Sequence, residues 1–352
     1  MSGLRIGFAY PGDLATPTGG YGYDRRIISE LSAIDCAVTP VELPASFPEP
    51  DARDICAAER LLSADVRDAL IIDGLAFGVL PAPLIAGLSP RPIALVHHPL
   101  FMETGLAPDR VTRLRASERN ALAEAPAILT TSRMTADIVA REFAVAPDRL
   151  FVAEPGVDAA ARAEGSSDGI VRLVAVGSVV PRKAYDDLVC ALAGVQGDWR
   201  LQIVGSLTLA PDCARALEKR VSDLGLSSRI ALAGAQPARV VAESLRSADV
   251  FVTASRFEGY GMAIAEAVAR GLPIVVADEV AAAGAAPEGA ARTYPAGDVM
   301  ALRAALSGII GDSSLRAQLS ARSWAAAGAQ PRWRDAAQTV LRALRHAMGQ
   351  TR

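Results

Sequence analysis

The chain has 352 residues, 51% of them apolar and 21% charged, with a formal net charge of -3. At about 150 residues per domain this length suggests two domains of ordinary globular balance, and the weak negative charge and 5% aromatic content exclude a basic nucleic-acid surface or a stacking platform for single strands. Cys36, Cys56, Cys190 and Cys213 form no Cys-x-x-Cys pair and only three histidines are present, so neither a zinc site nor a disulfide framework is expected, and the scattered thiols suit a reducing cytoplasm.

In chain order, Leu4–Ala9, Leu70–Asp73, Pro92–His97, Ala127–Thr131 and Leu150–Ala153 are short aliphatic runs of strand type. Asp24–Ala33, Asp109–Ala123 and Met134–Phe143 lie between them with helical periodicity. Continuous apolar strands separated by helices indicate a parallel sheet covered on both faces. Residues 158–169 (DAAARAEGSSDG) are small, polar and glycine-bearing, which predicts a linker. The alternation then restarts, with strands at Val171–Val176, Leu201–Val204, Ile230–Leu232, Val250–Thr253 and Ile274–Ala277, and helices including Tyr185–Ala193, Cys213–Leu224 and Met262–Arg270. The expected division is 1–160, 161–330 and a terminal helix over 331–352 whose docking is open, one option being to pack back on the first domain. Met1–Gly12 has no basic flank followed by a long apolar run, and no apolar stretch reaches ~18 residues, so neither a secretory signal nor a membrane span is expected.

In doubly wound domains ligands sit beyond the carboxyl ends of the strands, which selects a few loops. After Val250–Thr253 comes SRFEGYGMAIAE, residues 255–266. Gly259 and Gly261 allow backbone amides to approach an anion, and a helix start at Met262 adds unpaired amides. Glu258 stands in the loop and Glu266 just over a turn into the helix. On spacing alone, an ordinary turn with solvated acids explains the pattern as well as a site does. After Val171–Val176, Gly177 leads to Arg182 and Lys183; two cations at a helix start oppose its dipole, so an anion partner explains them better than chance. Thr16–Tyr23 (TPTGGYGY) supplies Gly19, Gly20 and Gly22 in a loop before a helix, which alone is weak evidence. His97 and His98 end a strand where ligands should bind. Arg110, Arg113, Arg115 and Arg119 lie on one helical pattern, and a solvated face is the favoured reading.

EGYGMAIAEAVARGLPIV, carrying Glu258, seven residues and then Glu266, resembles the Glu-x7-Glu signature of glycosyltransferase family 4, the retaining "glycosyl transferases group 1". Residues 174–188 (VAVGSVVPRKAYDDL) resemble that family's donor-phosphate loop, residues 127–135 (AILTTSRMT) and 154–158 (EPGVD) its markers at the end of the first domain, and residues 295–298 (PAGD) its late PPGD turn. One departure is Ser178, where many relatives have arginine directly after the glycine. The resemblance implies the α/β GT-B fold, two facing Rossmann-like doubly wound domains with a cleft between them. It implies an acceptor-side first domain, a donor-side second domain, and a nucleoside-diphosphate sugar as donor, with UDP or GDP as nucleotide. It assigns His97, Glu258, Arg182 and Lys183 to catalysis. Donor binding falls to Gly19, Gly20, Gly177, Arg182, Lys183, Glu258, Gly259, Tyr260, Gly261, Met262 and Glu266, and acceptor binding to Tyr21, His98 and Glu103.

No two aspartates are spaced i, i+2, so the Asp-x-Asp metal motif is absent; no metal and no cofactor are expected, because Arg182 and Lys183 can neutralise the leaving diphosphate. Some relatives use a basic helix to sit on anionic lipid, so a peripheral contact at the inner membrane face accompanies the cytoplasmic expectation. The alternatives are an epimerase or phosphorylase on the same fold, or a non-catalytic nucleotide-sugar-binding protein. A NAD enzyme is disfavoured because neither domain carries the dinucleotide glycine fingerprint.

Overall fold

The computed structural model describes residues 3–64, 66–281 and 284–350. The chain divides into two compact units, the first comprising Met1–Thr16, Gly20–Gly156 and Pro331–Arg352, the second Pro17–Gly19 and Val157–Gln330. The division thus falls at Gly156, four residues before the expected boundary. Residues 158–169 are not a free linker: the Ala163 amide donates to the Arg270 carbonyl and the Glu164 amide to the Arg246 carbonyl, both at 2.8 Å, within the second unit.

In the first unit the strands are β1 (Arg5–Pro11), β2 (Ala37–Leu43), β3 (Ala69–Asp73), β4 (Ile93–Val96), β5 (Ile128–Thr130) and β6 (Leu150–Val152). They form one parallel sheet of order β2-β1-β3-β4-β5-β6. The second unit has β7 (Val171–Val176), β8 (Trp199–Val204), β9 (Ile230–Leu232), β10 (Val250–Val252), β11 (Ile274–Ala277) and β12 (Ala291–Tyr294), in a parallel sheet of order β12-β11-β10-β7-β8-β9. Every residue of β3, β4, β10 and β11 is buried, as strands sandwiched between helix layers must be. Each fully buried Val, Leu or Ile side chain there contributes about 1.5–3 kcal/mol of transfer free energy.

Strands β2 and β12 were not expected. Both are sheet edges, and their burial is broken by exposed residues, so neither shows the continuous apolar run of a central strand. The helix Ala52–Ser63 was also not expected; it is started by a capping box in which Asp51 accepts from the Arg53 and Asp54 amides at 2.7 and 2.9 Å and Asp54 accepts from the Asp51 amide at 3.1 Å. The PAGD turn, residues 295–298, ends in the N-cap of the helix Val299–Gly311, where Asp298 accepts from Met300 and Ala301.

The terminal helix Trp333–Gln350 packs against β4, β5 and β6. Its buried apolar positions, Trp333, Ala336, Ala337, Val340, Ala343, Leu344 and Ala347, follow a helical stripe. Where this helix starts, the backbone passes Gly156 so closely that a Cβ there would lie 1.9 Å from the Trp333 nitrogen. Gly156→Ala is therefore expected to lower stability by about 1–3 kcal/mol or more through overpacking. A thermal melt checks this, and an unchanged melting temperature would show that the crossing relaxes freely.

Candidate active site

Counted within its own unit, the second sheet has the order 3-2-1-4-5-6, whose direction of winding reverses between β7 and β10. The loops that follow these two strands meet. β7 ends at Gly177, where φ is 150° and a Cβ would lie 2.8 Å from Lys183 Cε, so only glycine lets the lysine fold back over the strand end. Arg182 and Lys183 occupy a single 3-10 turn, Pro181–Lys183, and the Arg256 amide donates to the Arg182 carbonyl at 3.0 Å, tying the two loops together.

Both cations close on one carboxylate. Lys183 Nζ lies 2.5 Å from Glu258 Oε1, and Arg182 Nη1 lies 3.2 Å from Glu258 Oε2 while also donating to the Phe257 carbonyl at 2.8 Å. The three side chains are 16%, 15% and 12% exposed for Arg182, Lys183 and Glu258, which removes the reading of two solvated surface cations. Burial pushes the Glu258 carboxyl up, but Lys183 and Arg182 outweigh it and hold it at about 2. Buried Ser255 donates to Glu258 Oε1 at 2.6 Å and is itself 2.9 Å from the Thr253 hydroxyl. Ser255 was quoted in the motif but not singled out; its signal was its place, three residues before the glutamate at the end of a buried strand.

Gly261, with φ of 97°, is the N-cap of the helix Met262–Val268, two residues shorter than expected. Gly259 and Gly261 flank buried Tyr260, and Met262 packs on the core. Glu266 lies in the body of the helix. Burial pushes its carboxyl up, Arg270 lowers it and Asp158 raises it.

In the first unit the winding reverses between β1 and β3. The glycine-rich stretch is not a loop up to Tyr23: the helix following β1 already begins at Gly19 and runs to Ala33. A Cβ on Gly20 would lie 3.3 Å from the His97 ring, whereas Gly19 has open space around it. Just beyond β4, His97 Nε2 lies 3.1 Å from Asp24 Oδ1 and 3.2 Å from Asp73 Oδ2. Asp24 comes from the Gly19–Ala33 helix and Asp73 ends β3, so the cluster joins three elements at the switch point. The three ligand-type atoms lie within 4.8 Å of one another, with Nε2 facing both carboxylates. Neither aspartate was expected from the sequence.

The other first-unit residues are placed separately. The half-buried Tyr21 hydroxyl donates to the Pro11 carbonyl, and His98 Nε2 is 3.4 Å from Glu103 Oε2. Buried Glu118 accepts from the Leu100 and Phe101 amides at 2.7 and 3.2 Å, fixing the turn between His98 and Glu103. On the basic helix Pro108–Glu124, Arg110 pairs with Glu49, Arg113 with Asp109 and Arg115 with Glu142, while Arg119 donates to the Glu142 carbonyl. Those partners offset the charge that a lipid surface would use. No helix among the described residues is long and apolar enough to cross a membrane.

A family model described as glycosyl transferases group 1 matches residues 171–312, the stretch that contains both loops of the second unit's site. The chain is 29% identical over 318 residues to the MMP α-(1→4)-mannosyltransferase of Mycolicibacterium hassiacum, covering 81% of this chain and 74% of that protein. It is 31% identical over 258 residues to the D-inositol 3-phosphate glycosyltransferase of Nocardia farcinica, covering 67% of this chain and 56% of that one. It thus spans little more than half the length of the second relative. Among solved structures it resembles HepE from Anabaena in complex with UDP and glucose, with a TM-score of 0.77 at 16% identity, over 97% of this chain and 99% of that chain. At that identity the likeness establishes the fold, which is GT-B.

Proposed function

We propose that this chain, whose residues 171–312 match the model of glycosyl transferases group 1, passes a sugar from a nucleoside-diphosphate sugar to an acceptor hydroxyl with retention and without a metal ion. The observation that carries the reading is the convergence of Arg182 and Lys183 at the second unit's switch point, beside the glycine-lined loop of Glu258. Two half-buried cations held 3.2 and 2.5 Å from one carboxylate are poised to exchange part of that pairing for a diphosphate. An arginine fork and a lysine point charge suit its oxygens.

In this reading the acceptor oxygen forms its bond to the anomeric carbon on the face from which the phosphate departs. The anomeric carbon–phosphate oxygen bond breaks, and the acceptor's proton passes to the leaving phosphate. Arg182 and Lys183 stabilise the charge that develops there. Glu258 positions the donor sugar and stabilises its cationic character; Gly177, Gly259, Tyr260, Gly261 and Met262 border the donor, and Glu266 holds the nucleotide ribose. Gly19 and Gly20 serve the donor phosphates, His97 the transferred sugar or the acceptor, and Tyr21, His98 and Glu103 the acceptor. UDP or GDP is the nucleotide; HepE's complex with UDP and glucose supports the former. The α linkage in the mannosyltransferase's name is what retention leaves when the donor is α-linked.

The test is a panel of nucleotide sugars screened by thermal shift, since a ligand at 100 times its Kd raises stability by about 2.7 kcal/mol. Transfer with the donor that binds is then followed by anomeric NMR. An inverted product would overturn retention, and conversion of the donor alone to an isomeric nucleotide sugar would favour the epimerase alternative. Transfer is expected to continue in EDTA, because protein cations are available to the diphosphate. Loss of transfer in EDTA with recovery on adding magnesium or manganese would overturn the metal-free reading.

A further inference from the structure

The first unit holds a charged cluster of which the reading above uses only His97. His97 Nε2 faces Asp24 Oδ1 at 3.1 Å and Asp73 Oδ2 at 3.2 Å, and both carboxylates are completely buried. Asp24 Oδ2 makes no hydrogen bond, and Asp73 Oδ2 has only its ion-pair approach to the imidazole. Two buried carboxylates without a cation would carry a large desolvation cost.

Among the described residues the imidazole is the only cation in direct contact with that charge, although Arg25 also favours the Asp24 carboxylate from further off. Tyr23 presents its ring edge-on to His97 at 5.3 Å and spends its hydroxyl on the Ala153 carbonyl. Tyr21 spends its hydroxyl on Pro11, Gly20 contributes only backbone, and Thr131 donates to the His97 carbonyl at 3.2 Å. Arg25, next on the helix, donates instead to the Leu14 and Thr16 carbonyls. The imidazole is therefore the contacting cation for both Asp24 and Asp73. Its other nitrogen, Nδ1, has no hydrogen-bond partner among the described residues, and the side chain is 18% exposed.

We propose that Asp24 and Asp73 are positioning residues that hold His97 as an imidazolium, with Nε2–H given to the two carboxylates and Nδ1–H left to donate to a hydroxyl oxygen of the transferred sugar or the acceptor. This rests on the reading of His97 as a substrate contact. His97 is then a fixed donor and not a general base: to accept a proton it would first have to lose one in the field of two buried carboxylates. Burial lowers the imidazole's affinity for protons, but Asp24 and Asp73 reverse this and lift it well above its usual range.

The test is imidazole 1H–15N NMR on histidine-labelled full-length protein from about pH 6 to about pH 9, with His98→Gln and His346→Gln variants assigning the His97 signals. The expected result is a His97 protonated on both nitrogens across that range. In Asp24→Asn/Asp73→Asn its titration should fall by at least about two pH units. A His97 that is neutral at pH 7 in the unsubstituted protein would overturn the proposal, and that measurement does not depend on whether the variant folds. So would displacement of the Nε2 proton by added zinc or manganese at stoichiometric concentration. Kinetics supply the second arm. Transfer should fall about 10-fold or more in Asp24→Asn and in His97→Phe, with nucleoside-diphosphate affinity unchanged. His97→Phe with undiminished transfer would overturn the substrate contact. A protein whose His97 is charged as expected but which transfers no sugar from any donor overturns the functional reading instead.

Discussion

Replacing Arg182 and Lys183 together by alanine is expected to lower transfer by about 10²-fold or more, the usual cost of removing a donor that stabilises developing charge. The cations lie 3.2 and 2.5 Å from Glu258, so the substitution acts on that residue too. Glu258 is only 12% exposed, and breaking a buried pair from one side costs about 3–5 kcal/mol. Its carboxyl is held at about 2 by the two cations against burial. A folded-state value depressed below the unfolded one contributes stability that is present above about pH 4.5 and is lost as pH falls towards about 2. Without the cations only the Ser255 hydrogen bond opposes burial, the larger influence, and the sign reverses: Glu258 takes up a proton more readily, and the variant loses stability as pH rises through its elevated value. Melting curves of the double variant across pH, beside kinetics on the folded fraction, separate the two effects. Near-normal turnover in the folded double variant would remove both cations from the mechanism. A melting temperature that does not respond to pH would mean that Glu258 has found another partner.

The parts of this arrangement differ in how visible they are in one dimension. The Glu258 loop is legible because its physics is local: a fully buried strand, two glycines and a helix start occupy consecutive residues. Lys183 and Arg182 were visible as cations in an unfavourable place, but their pairing with Glu258 bridges 75 and 76 residues and needs the β7–β10 adjacency. Asp24 and Asp73 were invisible for the same reason. Each is an ordinary acid, one inside a helical pattern and one ending an apolar run, until β1, β3 and β4 are laid side by side. The signal available was Asp73, a carboxylate closing a strand of otherwise apolar residues. Edge strands β2 and β12 escaped because half-exposed strands lack a continuous apolar run, and the reach of the helix back to Gly19 escaped because glycines read as a loop.

Glu258→Gln and Glu266→Gln are expected to fail in opposite ways. Glu258 Oε1 accepts from Lys183 and Ser255, and Oε2 pairs with Arg182. A glutamine can satisfy one side of that arrangement but sets an amide donor against a cation on the other. It also removes the negative charge that competes with a diphosphate for Arg182 and Lys183. Affinity for the free nucleoside diphosphate should therefore be kept or rise, while kcat falls because the group that stabilises the sugar's positive charge is gone. Among the described residues Glu266 has no lysine or arginine so close; Arg270 acts on it, but donates its Nη1 to the Glu266 backbone carbonyl at 2.8 Å. Its carboxylate, pushed up by burial, gains most from accepting the two hydroxyl protons of a ribose. Glu266→Gln should accordingly weaken nucleotide binding by about 1–3 kcal/mol, the range for a hydrogen bond to a charged group and its unmet partner. Calorimetric titration of the free nucleoside diphosphate, run beside steady-state kinetics for each variant, reads both effects. Nucleotide binding abolished in Glu258→Gln but intact in Glu266→Gln would place the donor the other way round, with its nucleotide at Glu258 and its sugar at Glu266.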